Sequence, residues 1–427
     1  MKKVIIISPY FPPINAADMQ RVRMSLPYFK DFGWEAEVVV VEESYADIAK
    51  DELLLQSIPN YIKIHQVKSL SKKWTSKLGL GSIALRSIWF YKNQVNKILK
   101  KEKFDLIYFS TTQFPVLILG AYWKKKFNIP YVIDMQDPWH SDYYKNKQKN
   151  EKPPKYWFSY RLNKYLEPIA MKRVGGLISV SNDYLDTLVK RYPRLNELPK
   201  EVITFAAFKT DFDLAKQQKT PYQFKKDKIN LVYIGRAGHD MKKAITLIFE
   251  GFKLGLKNDY SLFNKVHFYF IGTSYAPNGQ GKSSVIPISN VLQIEPYVTE
   301  QTDRIPFYEG INLMLEANAL LVVGSDDSQY SASKIYSYIL AKKPFLAVFH
   351  PKSSAIQIIK DCSEGLVINL QTIDKKSVEI TYQALKTLIS NYKIKVEINW
   401  DNFEVYSAKN MTKKQCNLFN SVLDECS

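Results

Sequence analysis

Cysteine is scarce in this sequence: Cys362, Cys416 and Cys426 are scattered, and no two form a Cys-x-x-Cys pair. That argues against a disulfide framework and a cysteine-built zinc site, and it suits a reducing cytoplasm. Histidine is nearly as rare, at five residues, with neither an HExxH helix nor a tight His/Cys cluster, so metallohydrolase chemistry has no foothold. GxSxG and GxxxxGK[ST] are missing as well, which removes the serine-hydrolase elbow and the Walker-type phosphate loop. No apolar run reaches the roughly 18 residues that a spanning helix needs. Val4–Ile7 is too short and too early for a signal-peptide core.

Acidic residues are also in short supply. Against 60 Lys and Arg stand 42 Asp and Glu, a formal charge of +18. So large an imbalance favours phosphate-rich partners, whether nucleic acid, anionic lipid or a diphosphate-bearing substrate. No nucleic-acid recognition module accompanies the charge, so no nucleic-acid partner is expected.

What is present is alternation. Short, continuous β-branched runs mark strands buried on both faces, as in parallel sheets. They fall at Val4–Ile7, Glu37–Val41, Ile62–Val67, Leu106–Phe109, Tyr131–Ile133, Gly176–Val180 and Val202–Phe205. Helical spacing separates them at Met19–Phe32, Ile88–Lys100 and Asn182–Arg191. A polar, basic stretch over 209–230 reads as a linker. A second series follows at Leu231–Ile234, Val266–Ile271, Val291–Ile294, Leu320–Val323, Phe345–Val348 and Leu366–Asn369, with helices at Lys243–Leu254, Ile311–Ala317 and Ser333–Leu340. The pattern predicts two doubly wound α/β domains, residues 1–208 and 231–406, facing across a cleft, and a final helix over 407–427 packing back on the first domain.

Four stretches carry candidate chemistry. After the first run comes Ser8-Pro-Tyr-Phe-Pro-Pro, stiffened by proline, then a helix start where the Asn15, Ala16 and Asp18 amides and Arg21 are placed to face a ligand. Asp134, Asp137 and His140 crowd the end of the Tyr131–Ile133 run, as candidate acid/base groups or sugar-hydroxyl ligands. Gly235-Arg236-Ala-Gly238 with Lys242 is a cation-loaded glycine turn suited to a diphosphate. Ser331, Ser333 and Lys334 stand at the start of a helix, where unpaired amides and a lysine suit an anion. Each has a plainer reading, as a strand–helix connection, a turn, or a capped helix with a solvated lysine. Gly79-Leu-Gly81-Ser-Ile-Ala84 matches GxGxxA, but it follows polar residues rather than a strand and is read as no dinucleotide site. Asp326-Asp327 is read as a solvated strand-end pair.

Taken in order, these motifs resemble bacterial glycosyltransferases of the family 4 type: Ser8-Pro-Tyr-Phe-Pro-Pro with Arg21, Asp134-Met-Gln-Asp137-Pro-Trp, Gly235-Arg236 with Lys242, and Ser333-Lys334-Ile-Tyr-Ser337 through Lys343-Pro344. The resemblance implies the GT-B fold, two Rossmann-like domains, with a nucleotide-sugar donor on the C-terminal one and a glycan or lipid-linked acceptor on the N-terminal one. It implies no cofactor, no essential metal, and retention of anomeric configuration. By the same likeness Gly235, Arg236, Lys242, Ser331, Ser333 and Lys334 hold the donor diphosphate, Ile294 and Tyr297 lie near the base, and Ser337 stands where the donor ribose is bound. Two departures stand out. Asn15-Ala16-Ala17 replace the glycines of the family's first loop, and Ser337 replaces a glutamate, with Glu309 or Glu316 as candidate substitutes. The competing functions are a nucleotide-sugar epimerase or hydrolase, and a non-catalytic nucleotide- or glycan-binding protein.

Between Tyr61 and Lys103 there are eleven Lys and Arg and one acidic residue, Glu102, interleaved with Trp74, Trp89, Phe90 and Tyr91. This mixture suits peripheral contact with an anionic membrane, at the inner face of the cytoplasmic membrane; the alternative is an ordinary helix with a lysine-rich face. The Lys145–Lys155 run reads as a basic loop on the acceptor side.

Overall fold

The computed structural model describes the 427-residue chain except residues 76, 78–79, 143, 146–151, 153–154, 219–221, 277–278, 328–332 and 426–427. Ser331, Gly79 and most of the Lys145–Lys155 run therefore lie outside the described residues. The chain forms two compact units, Met1–Ala206 together with Tyr406–Ser427, and Ala207–Val405.

Among the described residues, the first unit is built on a parallel sheet of β1 (Lys2–Ile7), β2 (Trp34–Val41), β3 (Lys63–Val67), β4 (Leu106–Ser110), β5 (Tyr131–Met135), β6 (Gly176–Ser179) and β7 (Lys200–Val202), in the order β3-β2-β1-β4-β5-β6-β7. The β-branched runs become its centre: Val4 to Ile7, Leu106 to Phe109 and Tyr131 to Ile133 are fully buried. The order reverses between β1 and β4, and the crevice at such a switch is where α/β sheets bind ligands. The helix expected over Met19–Phe32 is only Gln20–Ser25, followed by a 3-10 turn at Phe29–Phe32. Pro27 has no amide to continue the ladder. The strand expected at Val202–Phe205 ends at Val202, because the Ile203 and Thr204 carbonyls bond instead to the Arg21 guanidinium.

The helix Ala408–Asp424 completes this unit. Ser407 caps it, accepting from the Asn410 amide at 3.2 Å, and its Phe419 sits among Phe29, Trp34 and Tyr108, with centroids 6.3, 5.4 and 5.0 Å away.

In the second unit, again among the described residues, β8 (Ile229–Ile234), β9 (Val266–Ile271), β10 (Val298–Gln301), β11 (Ala319–Val323), β12 (Phe345–Phe349) and β13 (Leu366–Asn369) form a parallel sheet in the order β10-β9-β8-β11-β12-β13, which reverses between β8 and β11. Two expectations are corrected here. Lys209–Ala215, read as linker, is a helix with Phe212 buried and Asp211 accepting from the Tyr308 hydroxyl at 3.1 Å. Val291–Ile294, read as a strand, is the end of the helix Ile286–Leu292, and Gln293 closes it at φ 60°. One edge of the sheet is β10. Its Glu300 carboxylate accepts from the Ser284, Val285 and Ile286 amides at 2.9–3.0 Å, and so fixes the start of that helix.

Candidate functional site

In the first unit, the segments after β1, β4 and β5 meet at the switch point. Asp18 accepts from Thr111 Oγ1 at 2.8 Å and from the Thr112 amide at 3.1 Å, which ties the first loop to the end of β4. Burial raises its carboxyl above the ordinary range. The Asn15 amide donates to the Ala49 carbonyl at 2.9 Å and the Ala16 amide to the Ile14 carbonyl at 3.1 Å. Arg21 is 0 % exposed; its Nε donates to Asp134 at 2.7 Å and its other nitrogens to Ile203 and Thr204 carbonyls. Asp134 is 0 % exposed too, and the same oxygen accepts from Ser110 Oγ at 2.8 Å and Gln136 Nε2 at 2.9 Å.

The first loop is therefore a strap rather than a ring of outward amides. Arg21 and Asp134, expected to meet a ligand, are an internal ion pair whose atoms are enclosed by the sheet end.

Asp137 differs from Asp134 three residues earlier. Its residue is exposed, yet the surrounding protein and, secondarily, the Asp18 charge push its carboxyl up to about 6. His140 is half-buried, with Nε2 shielded and without a hydrogen-bond partner among the described residues. Burial first, and the Arg191 charge second, lower its imidazole below the usual value. Asp137 and His140 thus remain available for acid/base work where Asp134 does not.

In the second unit, Gly235 follows β8 at φ 142° with its amide bonded to the Ile271 carbonyl at 2.8 Å. Lys334 Nζ reaches this turn, donating to the Ile234 carbonyl at 3.3 Å and lying 5.8 Å from the Tyr233 ring centroid. Burial, then the charges of Arg236 and Arg304, depress Lys334 to about 8. Tyr338 accepts from the Ile234 amide at 3.0 Å, and so holds the helix Ile335–Leu340 to the end of β8. That helix has six residues, so its dipole is slight and the lysine is the main charge here. Ser333, just ahead of it, and Ser337 within it are half-buried.

Arg236 is already engaged, making two bonds to the Asp240 carboxylate at 2.6 and 2.8 Å. Lys242 is exposed at the first position of the helix Lys242–Asn258. The structure thus brings Gly235, Arg236 and Lys334 together at the strand carboxyl end.

It does not bring Ile294 and Tyr297 there. Both precede β10, so they lie at its amino end; Ile294 is 1 % exposed in the core, and Tyr297 packs on Phe252 with centroids 5.2 Å apart. Their placement near a base came from the family likeness alone. Of the two spare glutamates, Glu316 ends the helix Phe307–Glu316 and acts on Lys343, just before β12, so it belongs to the amino edge. Glu309, in that helix's first turn, follows the carboxyl end of β10, and burial raises its carboxyl.

Sequence reasoning missed Tyr160, Asn163 and Glu167, which hold the chain around His140, and Tyr338. The first three had a signal, an i, i+3, i+7 spacing on one helix face. In the basic segment, Trp74 and Trp89 are 75 % and 63 % exposed, but Tyr91 is fully buried and belongs to the core. No helix among the described residues is long and apolar enough to cross a membrane.

Residues 36–203 match the family model described as Glycosyltransferase Family 4. The match lies within the first unit and covers less than half of the chain. No curated protein matches the chain. Solved structures do, over nearly full length. Anabaena Alr3699/HepE in complex with UDP is 14 % identical, covering 99 % of this chain and 100 % of that one at a TM-score of 0.59. A Burkholderia xenovorans α,α-trehalose-phosphate synthase (UDP-forming), in complex with glucose-6-phosphate, is 12 % identical at 98 % and 100 % coverage, TM-score 0.59. S. aureus TarM, as a point mutant with UDP among its ligands, is 14 % identical at 98 % and 100 % coverage, TM-score 0.57. At such identities the likeness establishes the fold, which is GT-B, and the stretch that matches the family model lies in its amino-terminal Rossmann-like unit.

Proposed function

We propose that this protein is a glycosyltransferase that moves a sugar from a nucleoside-diphosphate donor to a glycan or lipid-linked acceptor in cell-envelope polysaccharide synthesis, with retention and without a metal. The observation that carries this reading is Lys334, whose ammonium meets the Gly235 turn at the switch point of the second unit. A diphosphate there gains a fixed cation and a glycine main chain that it can approach closely. Arg236 and Lys242 add charge. As the sugar C1–O bond to the diphosphate breaks, negative charge grows on the leaving oxygen, and fixed cations lower the barrier most at that point. The acceptor hydroxyl forms the new C1–O bond on the face that the diphosphate leaves, as retention in one step requires, and its proton passes to the Asp137 carboxylate, whose raised pKa suits a base. His140 assists beside it. Glu309 takes over the ribose contact that Ser337 cannot make as a carboxylate.

A thermal-shift series with UDP, GDP, dTDP and ADP tests the donor site. At least one raises the melting temperature of the wild type, and Lys334→Ala abolishes that shift. No shift with any of the four at saturation would remove the assignment. A second reading, a homologue that binds donor or glycan without turnover, draws on the serine at position 337. Release of nucleoside diphosphate from the matching sugar donor, with and without a pool of acceptor alcohols, separates it from a transferase, and consumption without acceptor marks a hydrolase or epimerase. The exposed Trp74 and Trp89, among lysines, support contact with an anionic membrane at the cytoplasmic face.

A further inference from the structure

The helix Tyr156–Met171 carries Tyr160, Asn163 and Glu167 at i, i+3 and i+7, a spacing that puts them on one face. All three touch the chain that follows β5. Asn163 accepts from Trp139 Nε1 at 3.1 Å, and its Nδ2 donates to the Trp139 carbonyl at 3.3 Å. Glu167, 1 % exposed, accepts from the His140 amide at 2.9 Å. Arg191, ion-paired with Glu167, donates to the His140 carbonyl at 2.9 Å. Tyr160 packs on the imidazole with ring centroids 4.8 Å apart and donates to Asp142 at 2.7 Å.

Both main-chain groups of His140 are thus held by the two halves of one ion pair. Such a pair is a weak contributor to stability, since apolar residues of the same volume often do as well. Its geometry here serves something else. The buried carboxylate is saturated by the His140 amide, Arg191 and the Tyr192 hydroxyl at 3.0 Å, which leaves the imidazole as the one part of residue 140 with a nitrogen unpaired among the described residues.

We propose that Glu167 and Arg191 are positioning residues that fix His140 for acid/base work, a role for residues to which no contact with substrate is assigned. The inference rests on the reading of His140 given above. Four charged groups act on the ring: Arg191 and Lys164 disfavour its protonation, and Glu167 and Asp142 favour it. Removing either member of the clamp therefore moves the ring's titration in a direction set by the charge removed, and a loss of kcat at unchanged KM is what a purely structural pair would not produce.

The test follows the His140 imidazole by NMR through a pH titration of the full chain, in Glu167→Gln and Arg191→Met, beside nucleoside-diphosphate release from the donor that the thermal series identifies. Glu167→Gln keeps an acceptor for the His140 amide, so its fold is retained. The midpoint is expected to fall in Glu167→Gln and rise in Arg191→Met, with kcat lowered roughly 10- to 100-fold in both and the donor KM nearly unchanged. Arg191→Lys restores part of kcat. Midpoints that stay put, or that move the same way in both variants, overturn the proposal. So does an unchanged kcat in both when His140→Ala is inactive. If His140→Ala turns over like the wild type, the role given to His140 is what fails, and the opposed titration shifts alone decide the clamp.

Discussion

A β-carbon at Gly235 would fall 1.7 Å from Lys334 Nζ, so the glycine is what lets the lysine lie across the end of β8. Its φ of 142° adds a second reason, because side-chain-bearing residues rarely adopt it. Gly235→Ala displaces the ammonium and strains the turn by about 1–3 kcal/mol. The expected outcome is loss of the nucleotide-induced thermal shift with the second unit still folded by circular dichroism. A variant that keeps the full shift would show that Lys334 need not sit there.

Lys334 also predicts a pH dependence. Its free-state value near 8 means the ammonium is present below that pH and lost above it. A bound diphosphate favours the charged form and raises the value, so affinity is level below about pH 8 and then falls. Between pH 7 and 9 the dissociation constant is expected to rise about tenfold. Calorimetric titration at the two pH values, with Lys334→Arg as a control that stays charged, checks it. The same depression makes folding stability rise with pH between about 8 and the ordinary lysine value, because the unfolded chain binds the extra proton there.

Asp137 sets the opposite limb. As the acceptor of the hydroxyl proton it must be ionised, so kcat climbs as pH rises through about 6. Asp137→Asn removes the limb and lowers kcat by roughly 10²–10⁴. A rate profile that keeps its midpoint in the variant would assign the limb to another group, with His140 the first to test.

Arg21 and Asp134 are expected to act on stability. Both are fully buried, and deleting one strands the other's charge, at a cost of about 3–5 kcal/mol. Urea unfolding of Arg21→Ala and Asp134→Ala measures this. A variant as stable as the wild type but without turnover would return Asp134 to the chemistry.

Trp74 and the lysines around it are expected to place the first unit on anionic lipid. Lys73→Gln and Lys77→Gln each remove about 1 kcal/mol of attraction, roughly fivefold in partitioning onto anionic vesicles at low salt. Flotation reads it directly. A wild-type protein that stays off such vesicles at every ionic strength would end the membrane reading.

By itself the sequence determined the two parallel sheets, because unbroken β-branched runs separated by helical spacing have few other ways to bury themselves. It also picked out the Gly235 turn with Lys334, since glycine and lysine at a strand end carry their meaning locally. Edge elements were harder. Val291–Ile294 has strand-like residues but belongs to a helix, and whether a short apolar run extends or coils depends on what covers it. Ile294 and Tyr297, placed near the base by the family likeness, stand ahead of β10 at its amino end. Pairing across distance was decided only by the tertiary structure. Arg21 and Asp134 are 113 residues apart, as motifs they suit a ligand as well as each other, and only burial shows that each is the other's partner. Asp137, three residues further on, keeps its solvent and its shifted titration. The same side-chain chemistry thus became core or site according to the dielectric around it, which spacing along the chain does not record.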